Sequence, residues 1–339
     1  DFSVLEELPA GLDEIYGVEF RRMFGSSDSE TWRLAMYIIE MICAAMEPLD
    51  EPLVKIIAGS GGECEKFQRM KEDLSLLFPV REGKFSVMHK SVVDWLRAEK
   101  GTFDVGGRVG HGLLGREFLK LMEGGRFIIN GMKVSEWEVR ERYLLKHGML
   151  HLTEEGMGGG DGREVEAAVH IALSFPWHLA KAEIHSNEPQ KIRDDVARVE
   201  RMLIRMEEGG RRSGDGGGKR RALELLISAL NLGMLEMRKD WTSVGKELVK
   251  RLMGYGEKEA DDVKEFYNEN IKLLLDEVKT WDGGGGKGGG WWCPVSRIYT
   301  PAGGAEITTL EGHSSTVSSV AMGRMGDRDV IVSGSGDKT

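Results

Sequence analysis

The chain has 339 residues, 40% hydrophobic and 30% charged, enough for about two ordinary domains with cores of their own. Acidic residues outnumber basic ones by 56 to 46, a formal net charge of −10, which excludes bulk attraction to nucleic acid or anionic lipid. Three scattered cysteines, Cys43, Cys64 and Cys293, build neither a disulfide framework nor a paired Cys-x-x-Cys zinc knuckle, so a reducing, cytoplasmic setting is expected.

Residues 1–27 open with Leu8-Pro-Ala-Gly-Leu-Asp-Glu-Ile-Tyr16, and Pro9 suits a first helical turn. Leu12, Ile15, Val18 or Glu19, and Met23 follow at roughly helical spacing, the expected face of the helix. Ser27-x-x-Glu30 is a capping-box pattern, since each side chain can satisfy a free backbone N–H. The helix it opens carries Trp32, Ala35, Met36, Ile39, Ile42, Cys43 and Met46 on one face, and Pro48 is expected to stop it. Its apolar run, Leu34 to Met46, is 13 residues with Glu40 inside, short of the roughly 20 a membrane span needs. No signal-peptide pattern is visible.

A short helix over Glu51–Ala58 and another over Glu63–Phe78 come next. The period then changes: Val80 and Phe85, Val87 flank Glu82-Gly83, as in a tight β-hairpin. His89 to Leu96 is helical again. Three helices, a hairpin and a closing helix over residues 28–104 are the plan of a winged-helix domain. Residues 105–282 read as helix after helix, each with one apolar stripe that needs neighbours to cover it, as in a stacked, solenoid-like array; the stripes include Val139, Tyr143, Leu144, His147 and Leu150, then Ile192, Val196, Val199, Leu203 and Met206, and last Val263, Phe266, Leu274 and Val278. Glycine reaches 46 residues, twice the ordinary share of about 7%, and concentrates in Gly156–Gly162, Gly209–Gly218 and Gly283–Gly290, expected to be flexible inserts. Residues 283–305 read as a linker. Val317, Val320 and Met322, then Val330 and Val332, predict two short strands.

Residues 306–339 resemble a WD-repeat propeller blade. Gly312-His313, the Val317/Val320 strand, Ile331-Val332-Ser333-Gly334-Ser335 and Asp337 stand in the family's order. The resemblance implies that His313, Ser333 and Asp337 form the hydrogen-bonded brace of such blades. The closing strand does not follow, so the blade reads as incomplete. The remainder is similar to the region between the ATPase core and the propeller of NACHT-type signal-transduction NTPases (the STAND class). That likeness rests on Leu8-Pro-x-Gly-Leu-Asp-Glu-Ile-Tyr16, Ala45-Met-Glu-Pro-Leu49, His89-Lys-Ser-Val-Val-Asp-Trp-Leu96, Tyr143-Leu-Leu-Lys-His-Gly-x-x-His-Leu152 and Trp292-Cys-Pro294. It implies a mainly α chain: a winged helix, a helical array and a partial propeller blade. It also implies a piece of a longer protein in which ATP-for-ADP exchange opens a folded-back molecule and lets it self-associate.

The resemblance makes His89 the position that would touch an ADP phosphate, although Lys90 stands where the family often has Asp. A helix N-terminus with an imidazole N–H is a fair anion site. The plainer alternative is a helix-start histidine bonded to backbone. No Gly-x-x-x-x-Gly-Lys-Ser/Thr occurs; the lookalikes at Lys219 and Lys287 lack the hydroxyl residue, so no hydrolysis, no cofactor of its own and no catalytic residue is expected within this chain, and ATP and ADP are implied only for the full-length protein. His147-x-x-x-His151 has the spacing of a helical metal pair, but Gly148 stands where a metalloprotease needs Glu and no third ligand is indicated, so no metal is expected. The predicted third helix mixes Lys66, Arg69 and Lys71 with Glu63, Glu65, Glu72 and Asp73, which is no basic footprint. The expected role is therefore a non-catalytic scaffold that contacts proteins through its array and propeller and restrains a nucleotide switch. The alternative is a nucleic-acid-binding winged helix.

Overall fold

The computed structural model describes residues 11–25, 30–58, 64–98, 103, 105–123, 137–156, 163–209, 216–255, 268–280, 302, 317–325 and 328–336. Among these the protein is mainly helical, with thirteen α-helices and two small antiparallel sheets. No helix among them is long and apolar enough to cross a membrane. Ser27 of the expected capping box, Val263, Phe266, Gly283–Gly290 and Trp291 to Pro294 lie outside the described residues.

Helix α1 (Leu12–Phe24) corrects the expected face. Ile15 and Val18 are 41% and 43% exposed, while Tyr16, Phe20 and Phe24 are buried. These three, one turn apart, run down one side of the helix. They meet Trp32 of α2 (Glu30–Ala44), Trp95 of α5 (Lys90–Leu96) and Phe103, with centroids 5.0 Å apart for Phe20–Trp95 and 4.9 Å for Trp32–Phe103. Ring pairs at such separations add attraction beyond the area they bury, so the aromatic stripe outcompetes the aliphatic one.

Helix α2 buries Trp32, Ala35, Ile39, Ile42 and Cys43 as its spacing predicts. It ends at Ala44, before Pro48, and Met46 stays exposed. The Arg97 guanidinium, from the end of α5, donates to the Cys43 carbonyl at 2.5 Å and satisfies one of the carbonyls that a helix end leaves free. Strand β1 (Leu49–Asp50), α3 (Glu51–Ile57) and α4 (Cys64–Leu74) follow. Helix α4 stops four residues short of the expected Phe78. Ser75 gives its hydroxyl hydrogen to the Glu72 carbonyl, an alternative to continuing the ladder, and Pro79 comes next. Leu77 and Phe78 are still buried, in the turn rather than on the helix.

Strands β2 (Val80–Arg81) and β3 (Lys84–Phe85) form the predicted hairpin. Its two turn residues, Glu82 and Gly83, have φ of 52° and 73°, the paired left-handed geometry whose twist matches the strands it joins. Strand β1 adds to the other side of β3, with Leu49 opposite Phe85, giving the order β1-β3-β2.

The helical stretch comprises α6 (Arg108–Glu123), α7 (Val139–Gly156), α8 (Arg163–Ala172), α9 (Phe175–Ile184), α10 (Gln190–Glu208), α11 (Gly216–Lys239), α12 (Val244–Leu252) and α13 (Glu269–Thr280). Consecutive helices stack along much of the series, α6 on α7, α10 on α11 and α11 on α12. Helix α9 differs: it touches α7, α8, α10, α12 and α13, and seven of its ten residues are buried. A helix covered on all sides belongs to the interior. Two expectations change here. Val139 is exposed rather than inward. Gly216 to Gly218, expected in a flexible insert, begin α11, and the Gly218 carbonyl is bound by the Asn268 amide at 2.9 Å. A partner for that carbonyl offsets part of the entropy a glycine loses in a helix.

Helix α6 joins the two regions. It lies against α2 on one side and α7 on the other. A Cβ at Gly110 would fall 2.0 Å from the Glu40 carbonyl oxygen, and one at Gly148 of α7 would fall 2.2 Å from the Phe118 ring. Both crossings depend on the absent side chain. Gly110→Ala should therefore cost about 3 kcal/mol, the upper end of the overpacking range, read as a lower urea midpoint. Gly106→Ala, with open space at its Cβ, is the near-neutral control. A loss at Gly110 no larger than at Gly106 would mean that α2 and α6 are free to separate.

Ala302, in the expected linker, is buried and docked: its N–H donates to the Arg251 carbonyl at 3.0 Å and its carbonyl accepts from the Tyr255 hydroxyl at 2.5 Å. Strands β4 (Val317–Met325) and β5 (Arg328–Ser335) pair antiparallel, with Met322 opposite Ile331. Val320, Met322, Ile331 and Val332 are exposed, Met322 at 85%. A two-stranded hairpin is marginal without something to cover it.

Candidate functional site

His89 is the N-cap of α5. Its Nδ1 accepts the Ser91 backbone N–H at 3.2 Å and lies 2.7 Å from the Ser91 hydroxyl. That hydroxyl is in turn 2.7 Å from the Tyr16 hydroxyl of α1. The ring is exposed, and its Nδ1 serves its own helix, the plainer of the two arrangements open from the sequence. The same bonds tie α1 to α5.

Of the four blade positions, Ser333 is described and stands opposite Val320; Gly312, His313 and Asp337 lie outside the described residues.

A denser cluster gathers where α2, α6, α7, α9 and α10 meet. His147 and His151 share the inner side of α7, one turn apart. The rings do not converge as a metal pair. His151 is fully buried, with its Nδ1 2.8 Å from the Nδ1 of His111 on α6 and its Nε2 2.9 Å from the Tyr143 hydroxyl. The Tyr143 oxygen accepts the Met46 backbone N–H at 3.4 Å, so a continuous chain of hydrogen bonds crosses from α6 through α7 to the end of α2. His147 turns the other way, 3.5 Å from the Glu47 carboxylate, which Lys146 also approaches at 3.4 Å. Burial, His111 and His147 together push the His151 imidazole down to about 2. Burial also lowers His111 and His147, though Glu154 and Glu47 respectively act against it. Burial raises the Tyr143 phenol. Among the described residues, no group of three or more His, Cys, Asp or Glu could hold a metal ion.

Lys181 of α9 anchors the other side. Its side chain is 1% exposed, and its ammonium donates to the Leu145 and Lys146 carbonyls at 3.0 and 2.6 Å and pairs with Asp195 of α10 at 2.7 Å. The two carbonyls take hydrogen bonds from the ammonium, and Asp195 balances its charge. Beside it, His185 is pushed down to about 3, by burial first and then by Lys181. His178, wholly buried, donates from Nε2 to the Ala172 carbonyl at 2.7 Å, and burial pushes it down to about 4. Elsewhere, on α2, burial pushes the Cys43 thiol up to about 12, away from the thiolate that a nucleophilic cysteine needs.

A separate open groove of about 750 Å³ lies between α8 and α13, floored by Val169 and Leu173 and edged by Leu273. Its carboxylates are already engaged. Glu166 faces Lys219, Asp276 faces Lys279, and Glu277 accepts the Phe175 N–H at 2.6 Å, capping α9.

The sequence pair His147/His151 thus separates into two roles. His111, Glu47 and Lys181 complete the cluster from three other segments of the chain, and Tyr143 joins it from one turn before His147 on α7. The available signal for His111 is its place beside Gly110 and Gly112, small residues on a helix that must approach its neighbours closely. Comparison of the chain with known protein families, curated proteins and solved structures finds no match.

Proposed function

We propose that the chain is the regulatory and scaffold portion of a NACHT-type signal-transduction NTPase with WD repeats, acting through protein contacts and intramolecular restraint rather than catalysis. The observation that carries this reading is α6, packed between α2 and α7 through Gly110 and Gly148. It makes the N-terminal unit and the helical stretch one stiff arm, and a restraint needs stiffness: an arm that packs better on one nucleotide state shifts the population toward it. Three further features support it. The order α2, β1, α3, α4, β2, β3, α5 is the element order of a winged helix. The β4–β5 hairpin exposes apolar residues on both faces, as a blade covered by neighbours would. The sequence motifs stand in the family's order.

In this reading ATP and ADP belong to the full-length protein, partners are proteins, and self-association follows opening. His89 is the proposed nucleotide sensor, reached through a ring edge that does not cap α5. The nucleic-acid alternative draws little support from α4, whose Lys71 is paired with Glu51 at 2.9 Å.

Deleting residues 28–282 from the full-length protein tests the restraint. The expected result is nucleotide-independent oligomerisation, read by light scattering with ADP bound. Basal oligomerisation equal to that of the intact protein would end the proposal.

A further inference from the structure

Between His111 Nδ1 and the Met46 N–H, only one arrangement gives every hydrogen in the chain an acceptor. The Tyr143 oxygen already accepts from the Met46 N–H, so the phenol gives its own hydrogen to His151 Nε2. Neutral His151 then carries its proton on Nδ1 and donates it to His111 Nδ1. Neutral His111 carries its proton on Nε2. We propose that His111, His151 and Tyr143 form a proton-reversible latch between α6, α7 and the end of α2, closed while His111 is neutral and released when it takes a proton.

The release follows from donor counting. One proton from water makes His111 an imidazolium, with N–H on both nitrogens. Its Nδ1 can no longer accept, so neutral His151 must present a bare Nδ1 and move its single proton to Nε2. The Tyr143 oxygen then faces two donors, His151 Nε2–H and Met46 N–H, and its own hydrogen has lost its acceptor. The longer bond yields: 3.4 Å to Met46 against 2.9 Å to His151. A proton arriving at α6 is thus read out at the end of α2, across α7.

His111 is the entry because it is half-buried where His151 is fully buried. The charges around it are accounted for. Glu154 of α7 favours its protonation, while Arg97 after α5 and Arg198 of α10 oppose it. On the far side, Glu47 faces His147 and favours its charge, while Lys146 and Lys181 oppose it. Glu40 of α2 accepts the Gly110 N–H at 3.3 Å, which directs that carboxylate toward the α6 backbone beside His111. As a regulator the latch rests on the restraint role proposed above. Its chemistry does not, and the test reads the chemistry alone.

The experiment is imidazole ¹⁵N spectroscopy on the histidine-labelled chain from about pH 7.5 to about pH 4.5, which reaches below the ordinary histidine range because burial lowers His111. His151 is expected as the Nδ1–H tautomer at the upper pH and the Nε2–H tautomer at the lower, with the exchange tracking the His111 titration. In parallel, the Met46 amide should exchange about fivefold to tenfold faster at the lower pH, after correction for intrinsic rate and relative to α11 amides, the effect of one ordinary hydrogen bond. His111→Gln should hold His151 on Nδ1–H throughout and abolish the change at Met46. If that variant fails to fold, Tyr143→Phe serves instead: Met46 should exchange fast at both pH values. An Nε2–H tautomer at the upper pH, a His151 indifferent to His111, or Met46 and α11 accelerating equally would each overturn the latch. The deletion result above would stand in any of those cases, and the latch would stand if the deletion had no effect.

Discussion

Replacing Lys181 with methionine should cost about 3–5 kcal/mol of stability, the usual penalty for removing one member of a buried ion pair. Methionine fills nearly the same space, so the loss is electrostatic rather than a cavity. Asp195, 14% exposed, would be left as a buried charge without its cation. The Leu145 and Lys146 carbonyls would lose only a second donor. The double variant Lys181→Met, Asp195→Leu should therefore recover most of the loss, because it strands no charge. Urea midpoints of the three proteins decide it. A single variant within about 1 kcal/mol of the parent, the range of a surface pair, would show that water reaches Asp195.

Stability should also fall steeply in mild acid. The imidazoles of His151 and His178 are held far below their ordinary range in the folded chain and return to it, about 6.5, on unfolding. The unfolded chain then binds more protons, so stability is complete above about pH 6.5 and is lost as pH drops toward the folded values. For His178 that window closes near 4; for His151 it runs lower. At about pH 5 each fully buried imidazole contributes about 2 kcal/mol of loss, so the pair contributes about 4. His185, more exposed, adds less. Carboxyls raised by burial, Asp50, Glu200 and Glu277, work in the opposite sense, because the folded chain takes up their protons first. That offset begins only near their own titration. Melts across this range should show a slope of about 1.4 kcal/mol per pH unit per histidine, and His178→Gln should remove one proton's share. A flat profile between about pH 7 and pH 5 would contradict the burial of both rings.

Periodicity located the helices well wherever one stripe was plainly apolar, as with Ile192, Val196, Val199 and Leu203 on α10, all buried. It failed where two stripes competed. On α1 Ile15 and Val18 are outward and the aromatic set inward, and only the rings waiting on α2 and α5 decide between them. Glycine misled at Gly216 to Gly218 because the partner of that helix start, Asn268, is 50 residues away. The Glu82-Gly83 turn was readable because its geometry is local. The histidine cluster was not. The i, i+4 spacing of His147 and His151 was visible, but their partners His111, Glu47 and Lys181 are set by how helices cross, which no local pattern encodes.

The glycine contacts of α6 also bear on how the chain can be divided. Residue 104 separates two kinds of sequence, but the helix that follows it is the shared wall of both regions. A cut there strips the Gly110 side of α6 from one product and leaves Ala44 and its neighbours uncovered on the other. Neither half carries a complete interior. Residues 11–280 should therefore unfold as one cooperative unit, and this stretch would be exchanged between proteins whole or not at all.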